Sequence, residues 1–436
     1  MDWLYDRPLL SGTVPWAATV LAVAGAVWLL LAPTTNSRRH RLRVVPACAV
    51  AAGALTVAGW LVVEKWWRPF PDPVALGVYA WIGCGLFAIL LAAARIATDR
   101  HLLRGFVSVV AAFAVVVGAA VQVNLVFDAY PTVRDVLGLP AANAIAFAEV
   151  PGPVANPISG TPLDADWHPP ADLPDHGSVV TVPIPGTASG FAARDAQIYL
   201  PPAYFADPRP LLPVLVLLAG QPGSPGDWFA GGRLAETMDA FAAQHGGLAP
   251  VVVVADGTGS TLANPLCLDS RLGNVDTYLA TDVPEWVKAN LQVDTDPRAW
   301  AVGGLSYGGT CSLQLATNHP DVYPTFLDLS GQLEPTLGDR DRTVDAAFGG
   351  DDAAFTEVNP MDLLASRRFP GTAGVFVVGA DDHEYAPGVH TLYAAAQQAG
   401  MDVHLVELPG GHSFAVWSAG LAGQVDWLSR RVGLIS

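Results

Sequence analysis

The sequence predicts four membrane-spanning helices followed by an α/β domain whose mostly parallel sheet is covered by helices on both faces. Three observations carry that expectation. Charge is nearly absent from four long apolar stretches in the first 127 residues. From about residue 179, runs of strand length alternate with runs of helix length. One glycine-flanked serine falls where such a strand meets a helix.

Apolar residues make up 51% of the chain and charged residues 14%, against about 25% charged in an ordinary soluble protein. The deficit is local. Up to Phe127 there are ten basic and five acidic residues, and beyond it 13 basic and 35 acidic, which together give the net charge of −17. So acidic a C-terminal part repels phosphate and excludes nucleic-acid binding; its plain consequence is solubility. At 436 residues the chain is long enough for two or three structural units.

The four stretches, 14–32, 44–63, 74–94 and 105–127, contain no ionisable acid or base, and each has about the 20 residues that cross a bilayer as a helix. Asp2 and Asp6 precede the first and its positive flank follows it, the reverse of a cleavable signal. Arg38, Arg39, Arg41 and Arg43 follow the first stretch, and Arg95, Arg100 and Arg104 lie between the third and fourth. The other flanks hold only Arg7, Lys65 and Arg68. Basic loops stay in the cytoplasm, so the N-terminus and everything after the fourth span are expected outside. Trp16, Trp60, Trp66, Trp67 and Tyr79 stand near the span ends as interfacial anchors do. No ionisable group lies mid-span, as transport and proton relay usually require, so the bundle reads as an anchor, and a transporter with an accessory domain is disfavoured.

Residues 128–178 are rich in Pro, Ala and Gly and read as a juxtamembrane connector, partly ordered at most. Strand-length runs then occur at 179–184, 197–200, 213–219, 250–255, 300–303, 324–329, 374–378 and 403–408, with helical stretches at 234–245, 275–291, 307–318, 387–399 and 414–432. Such alternation means a parallel sheet, and residues 179–436 suffice for one domain. Cys48 and Cys84 fall in apolar runs and read as packing residues. Cys267 and Cys311 can pair if their compartment is oxidising. No Cys/His spacing resembles a metal or redox motif, and no cofactor is expected.

The segment 301–310, AVGGLSYGGT, holds Gly304-x-Ser306-x-Gly308. At a strand–turn–helix bend, side chains beside the serine would clash, so glycines flank it and the hydroxyl is lifted above the sheet. A serine needs a base, found after the last strand in 408–417, LPGGHSFAVW, as His412. The acid should follow the preceding strand, where 374–385, GVFVVGADDHEY, offers Asp381, Asp382 and Glu384. The order Ser, Asp, His fits a nucleophile, orienting acid and base, with Asp382 preferred and Asp381 the fallback. His383, His390 and His404 read as surface or structural. A tetrahedral intermediate needs two backbone N–H donors: one from Tyr307, the other from the loop at 220–228, GQPGSPGDW, where Pro222 has no N–H and Gln221 is the best donor.

From about residue 186 to 428 the chain resembles the esterase D and antigen 85 (mycolyltransferase) group of α/β-hydrolases. The resemblance is carried by AQIYLPPAY at 196–204, the Gly220 loop, TYLATDVPEW at 277–286, GGLSYGG at 303–309, and PGGH at 409–412 followed by Trp417. It implies Ser306, an acid and His412 as triad, with Gln221 and Tyr307 lining the oxyanion hole. In the family pattern the acid stands three residues after a strand-ending glycine; from Gly379 that is Asp382, although antigen 85 enzymes use glutamate. It also implies ester hydrolysis or acyl transfer, mycolyl groups on trehalose included. Spans before such a domain are similar to actinobacterial cell-envelope proteins. Departures are the four spans, Gln221-Pro222 in the loop, and an acidic insert at 331–359 with Asp339, Asp341, Asp345, Asp351 and Asp352. That insert lacks the D-x-D-x-D-G calcium spacing and reads as a solvated lid. The expected activity is therefore a serine esterase or acyltransferase on an ester-linked envelope lipid, at the outer face of the cell membrane. The alternative is a non-catalytic scaffold that uses the fold for binding.

Overall fold

The computed structural model describes residues 5–99 and 101–436. They fold as two compact units, one ending at Leu139 and one running from Pro140 to Ser436.

The first unit holds four helices long and apolar enough to cross a membrane: α1 (Thr13–Leu31), α2 (Ser37–Trp67), α3 (Leu76–Thr98) and α4 (Leu102–Phe127). α3 and α4 run past the charge-free stretches, so Arg95 lies within α3 and Arg104 within α4. A Cβ added at Gly25 of α1 would stand 2.5 Å from the Ala111 carbonyl oxygen of α4; the small residue lets the two backbones touch, as apolar bundles require. Arg95 is buried, and it donates to the Leu29 and Ala32 carbonyls at the end of α1 (3.1 and 3.2 Å) and to Ser108 Oγ of α4 (3.2 Å). A helix end leaves its last carbonyls without intrahelical donors, and this guanidinium supplies them.

The second unit is built on a nine-stranded sheet: β1 (Ala144–Ile145), β2 (Ser178–Val182), β3 (Ala196–Leu200), β4 (Val214–Leu218), β5 (Val251–Ala255), β6 (Trp300–Leu305), β7 (Thr325–Leu329), β8 (Ala373–Gly379) and β9 (Asp402–Leu408). Their order is β1-β2-β3-β5-β4-β6-β7-β8-β9. β3 runs antiparallel to β2 and β5, and every other pair is parallel. Strands β4 to β8 are buried along their whole length. Both faces are therefore covered, which is why these strands read as unbroken apolar runs rather than as alternation. The helices include α5 (Leu234–Gln244), α6 (Val283–Asn290), α7 (Tyr307–Asn318), α8 (Ala386–Gln398) and α9 (Phe414–Arg431).

One expectation needs correction. Residues 140–178 are packed rather than loose. Leu163 and Trp167 join the core, Trp167 Nε1 donates to the Gly246 carbonyl (2.8 Å), and the Leu163 and Asp164 amides bond the carbonyls of Gly433 and Leu434. A few large apolar anchors hold a segment whose Pro/Gly background masks them. The acidic insert exposes Asp339, Asp341, Asp345, Asp351 and Asp352 to solvent and is folded. It carries helices Arg340–Phe348 and Asp352–Thr356 around a small core of Leu266, Leu268, Val344, Ala347 and Phe355. Asp339 and Asp351 cap those helices by accepting from the Arg342 and Ala354 amides. Arg340 pairs with Glu334, Asp352 and Asp362 and lies over the Phe355 ring.

Candidate active site

β6 ends at Leu305 and α7 starts at Tyr307, so Ser306 is the single residue of the turn between them. Its φ of 52° and ψ of −116° lie in a region that costs a non-glycine residue about 1–3 kcal/mol. Crowding sets the flanking residues. A Cβ on Gly304 would stand 2.2 Å from the Gly308 carbonyl, and one on Gly308 2.2 Å from the Leu218 oxygen of β4. Side chains at either position would push α7 off the sheet.

The two loops after β8 and β9 bring the other groups to the same strand ends. His412 Nδ1 lies 2.8 Å from Asp382 Oδ2, and its Nε2 lies 3.0 Å from Ser306 Oγ. A carboxylate can only accept here, so Nδ1 carries the proton and Nε2 turns a lone pair toward the hydroxyl. The Asp382 side chain is 2% exposed and that of His412 25%, which shields the pair while leaving the histidine edge reachable. Asp382 Oδ1 also accepts from the Tyr385 amide (3.2 Å). Asp381 and Glu384 are exposed, and the Asp381 amide is bonded to the Gly410 carbonyl. Of the three acids, Asp382 is the one hydrogen-bonded to His412. The remaining histidines named from sequence lie elsewhere: His390 pairs with Glu407, His404 with Gln424, and His383 is exposed.

The Gly220 loop passes beside the serine, since a Cβ at Gly220 would stand 3.5 Å from Ser306 Cβ. Gln221 follows, fixed by its side-chain Nε2 on the Leu262 carbonyl (2.8 Å), and the Gly223 amide bonds the Thr261 carbonyl. Tyr307 turns its ring inward. Its hydroxyl accepts from the Cys267 amide (2.9 Å) and donates to the Gly257 carbonyl (3.0 Å). Burial pushes that hydroxyl far above the ordinary tyrosine range, so it is a structural hydrogen-bonding group, not an acid. Cys267 and Cys311 form a disulfide that ties the 257–267 loop to α7.

Sequence reasoning missed the residues that hold the histidine ring. Tyr385 stacks on His412 with centroids 3.8 Å apart and planes 16° apart. Trp417 meets it edge-on at 4.8 Å and is fixed by Nε1 on Ser330 Oγ (3.2 Å). The usable signal was the spacing Asp382-x-x-Tyr385, which puts an aromatic one turn after the acid.

The putative esterase family model matches residues 192–428, more than half of the chain. The chain belongs to this esterase family. It is accordingly a serine esterase or acyltransferase by class. An uncharacterized protein of Corynebacterium glutamicum is 41% identical over 407 residues, 91% of either chain. The diacylglycerol acyltransferase/mycolyltransferase Ag85C of Mycobacterium leprae is 38% identical over 63 residues, which span 14% of this esterase and 18% of that protein. Among solved structures, a ferulic acid esterase superposes with a TM-score of 0.51 at 18% identity, over 59% of this chain and 99% of its own. An S-formylglutathione hydrolase from Agrobacterium tumefaciens gives 0.50 at 17%, over 60% and 98%. At such identities these two report the α/β-hydrolase fold alone.

Proposed function

We propose that the esterase is anchored by α1–α4 in the plasma membrane, with its second unit outside the cytoplasm, and cleaves or transfers the acyl group of an ester-linked envelope lipid through Ser306, His412 and Asp382. The observation that carries the reading is the unbroken chain of contacts from Ser306 Oγ to His412 Nε2 and from His412 Nδ1 to Asp382.

In the first step Ser306 Oγ attacks the ester carbonyl while His412 Nε2 takes its proton. The new O⁻ is met by the backbone N–H groups of Tyr307 and Gln221. The imidazolium then gives its proton to the leaving alkoxide, and the C–O bond to it breaks. Water or an acceptor alcohol repeats the sequence on the acyl-enzyme, with His412 as base and then as acid. Asp382 holds the tautomer throughout and stabilises the imidazolium.

Location rests on two supports. The basic residues gather in the first turns of α2, as Arg38, Arg39, Arg41 and Arg43, at the end of α3, as Arg95, and at the start of α4, as Arg104, with Arg100 outside the described residues, which favours a cytoplasmic side opposite the C-terminal unit. The Cys267–Cys311 bond belongs to an oxidising compartment. A lipid ester suits an enzyme tethered to a membrane, and the Mycobacterium leprae relative's name includes diacylglycerol acyl transfer.

Fluorophosphonate labelling of membranes tests the nucleophile. Wild type is expected to label and Ser306→Ala not to. A folded wild type that neither labels nor cleaves a generic ester would sink the enzyme mechanism and leave the scaffold reading. The disulfide makes a separate prediction: Cys311→Ser should lower the melting temperature, as loss of a native disulfide costs about 2–5 kcal/mol. An unchanged melting temperature would show that the bond does not brace α7.

A further inference from the structure

We propose that Tyr385 is a positioning residue for the catalytic base, holding the His412 ring in the one tilt that serves both of its hydrogen bonds and stabilising it when protonated. The inference rests on the triad reading above and extends it to a side chain that has no part in the chemistry of bond making.

Asp382 alone leaves one motion open. Its contact with Nδ1 fixes that end of the imidazole, but the ring can still rotate about the Nδ1···Oδ2 line. Such rotation swings Nε2 away from Ser306 Oγ without breaking the carboxylate bond. A face-to-face neighbour removes that freedom. Tyr385 supplies it at 3.8 Å and 16°, close enough that tilt in one direction meets the phenol ring. The Trp417 edge, at 89° to the imidazole, closes part of the remaining space.

The stack is built by the same turn that carries the acid. The Tyr385 amide donates to Asp382 Oδ1, and the Ala386 amide donates to the Asp382 carbonyl as α8 begins. Acid and ring therefore move as one body, with Oδ2 toward Nδ1 and the phenol over the imidazole face. The electrostatics favour the transition state over the resting enzyme. When His412 takes the serine proton, the ring becomes cationic beneath the electron-rich face of an aromatic, an attractive arrangement. The neutral ring gains less. A contact that strengthens as charge develops raises kcat rather than affinity.

The test uses the full-length protein in detergent, with p-nitrophenyl butyrate as substrate and a fluorophosphonate as the probe. Tyr385→Leu is expected to lower kcat and the labelling rate about tenfold while KM stays within about twofold. Tyr385→Phe, which keeps the π face, is expected to match wild type within about twofold in both. Should Tyr385→Leu be unfolded at the assay temperature, Tyr385→Met fills the volume without a π face and carries the same expectation. Leu or Met variants that label and turn over at the wild-type rate overturn the inference. So does a Phe variant as slow as they are, which would shift the role to the hydroxyl. A wild type that does not label refutes the triad itself, an outcome distinct from either.

Discussion

Asp382→Asn is expected to lower kcat on a soluble ester by about 10³–10⁴-fold, and Asp381→Asn by no more than about twofold. The two acids are adjacent in sequence and chemically equal, so the contrast isolates geometry. An asparagine at 382 can present its N–H to His412 Nδ1, which then accepts and moves the ring proton to Nε2. That proton points at Ser306 Oγ and the base is lost, although the fold and the 2.8 Å spacing persist. Asp381 is exposed, and the carboxylate bonded to His412 Nδ1 is that of Asp382. Steady-state kinetics of the two variants, each checked for an unchanged melting temperature, decide the matter. Equal losses in both, or a larger loss at 381, would remove Asp382 from the triad.

A second large effect should come from Asp328, a carboxyl that the proposed chemistry does not use. It lies on β7 opposite Gly304 of β6, completely buried, and its Oδ1 accepts from the Gly331 amide at 2.7 Å. Oδ2 is buried with no hydrogen-bond partner among the described residues. Burial pushes its pKa up to about 7 from an ordinary value of 3.8, with the Gly331 bond pulling weakly the other way. The folded protein thus holds this proton more tightly than the unfolded chain does. Its contribution is fully present below about pH 4 and disappears as pH rises through about 7. Asp328→Asn removes the titration. The stability of the variant relative to wild type should therefore rise by a few kcal/mol between pH 5 and pH 8.5. Denaturant melts at the two pH values, on full-length protein in detergent, give the difference directly. Parallel curves would show that Asp328 does not change protonation in that range.

Asp382 also shows what could be read beforehand, whereas nothing in the sequence singled out Asp328. Asp382 could be named because strand-end placement narrows the acid to a single loop, in which the family resemblance implies a count of three residues from the glycine ending β8. Ser306 and His412 were accessible for the same reason: a parallel sheet delivers loop residues to one edge, and chain order names the loops. Arg95 was missed as a bundle residue because a charge-free window stops one residue short of it, whereas the helix continues for another turn. Residues 140–178 were missed because their anchors, Leu163 and Trp167, are too sparse to show a period. The insert's aspartates read as solvated charge and are exposed, but the helices capped by Asp339 and Asp351 and the pairing of Arg340 with Glu334, Asp352 and Asp362 were not foreseen. Tyr385 belongs to an acidic string, and its one signal, the spacing Asp382-x-x-Tyr385, was not used. For Arg95, Leu163, Trp167 and Tyr385 a partner distant in sequence determines the role.

The clasp between the connector and the C-terminal residues has a consequence for the order of assembly. Asp164 accepts from the amide of Ser436, 272 positions later, and the Leu163 amide bonds the Gly433 carbonyl. During synthesis the spans and the connector emerge first, while the strands that complete the sheet and the residues that fasten the connector emerge last. Pairings this distant are slow to form. The connector must therefore wait unfastened until synthesis reaches those residues, and a nascent chain arrested a few residues short of them would carry four complete apolar helices and an unlatched second unit.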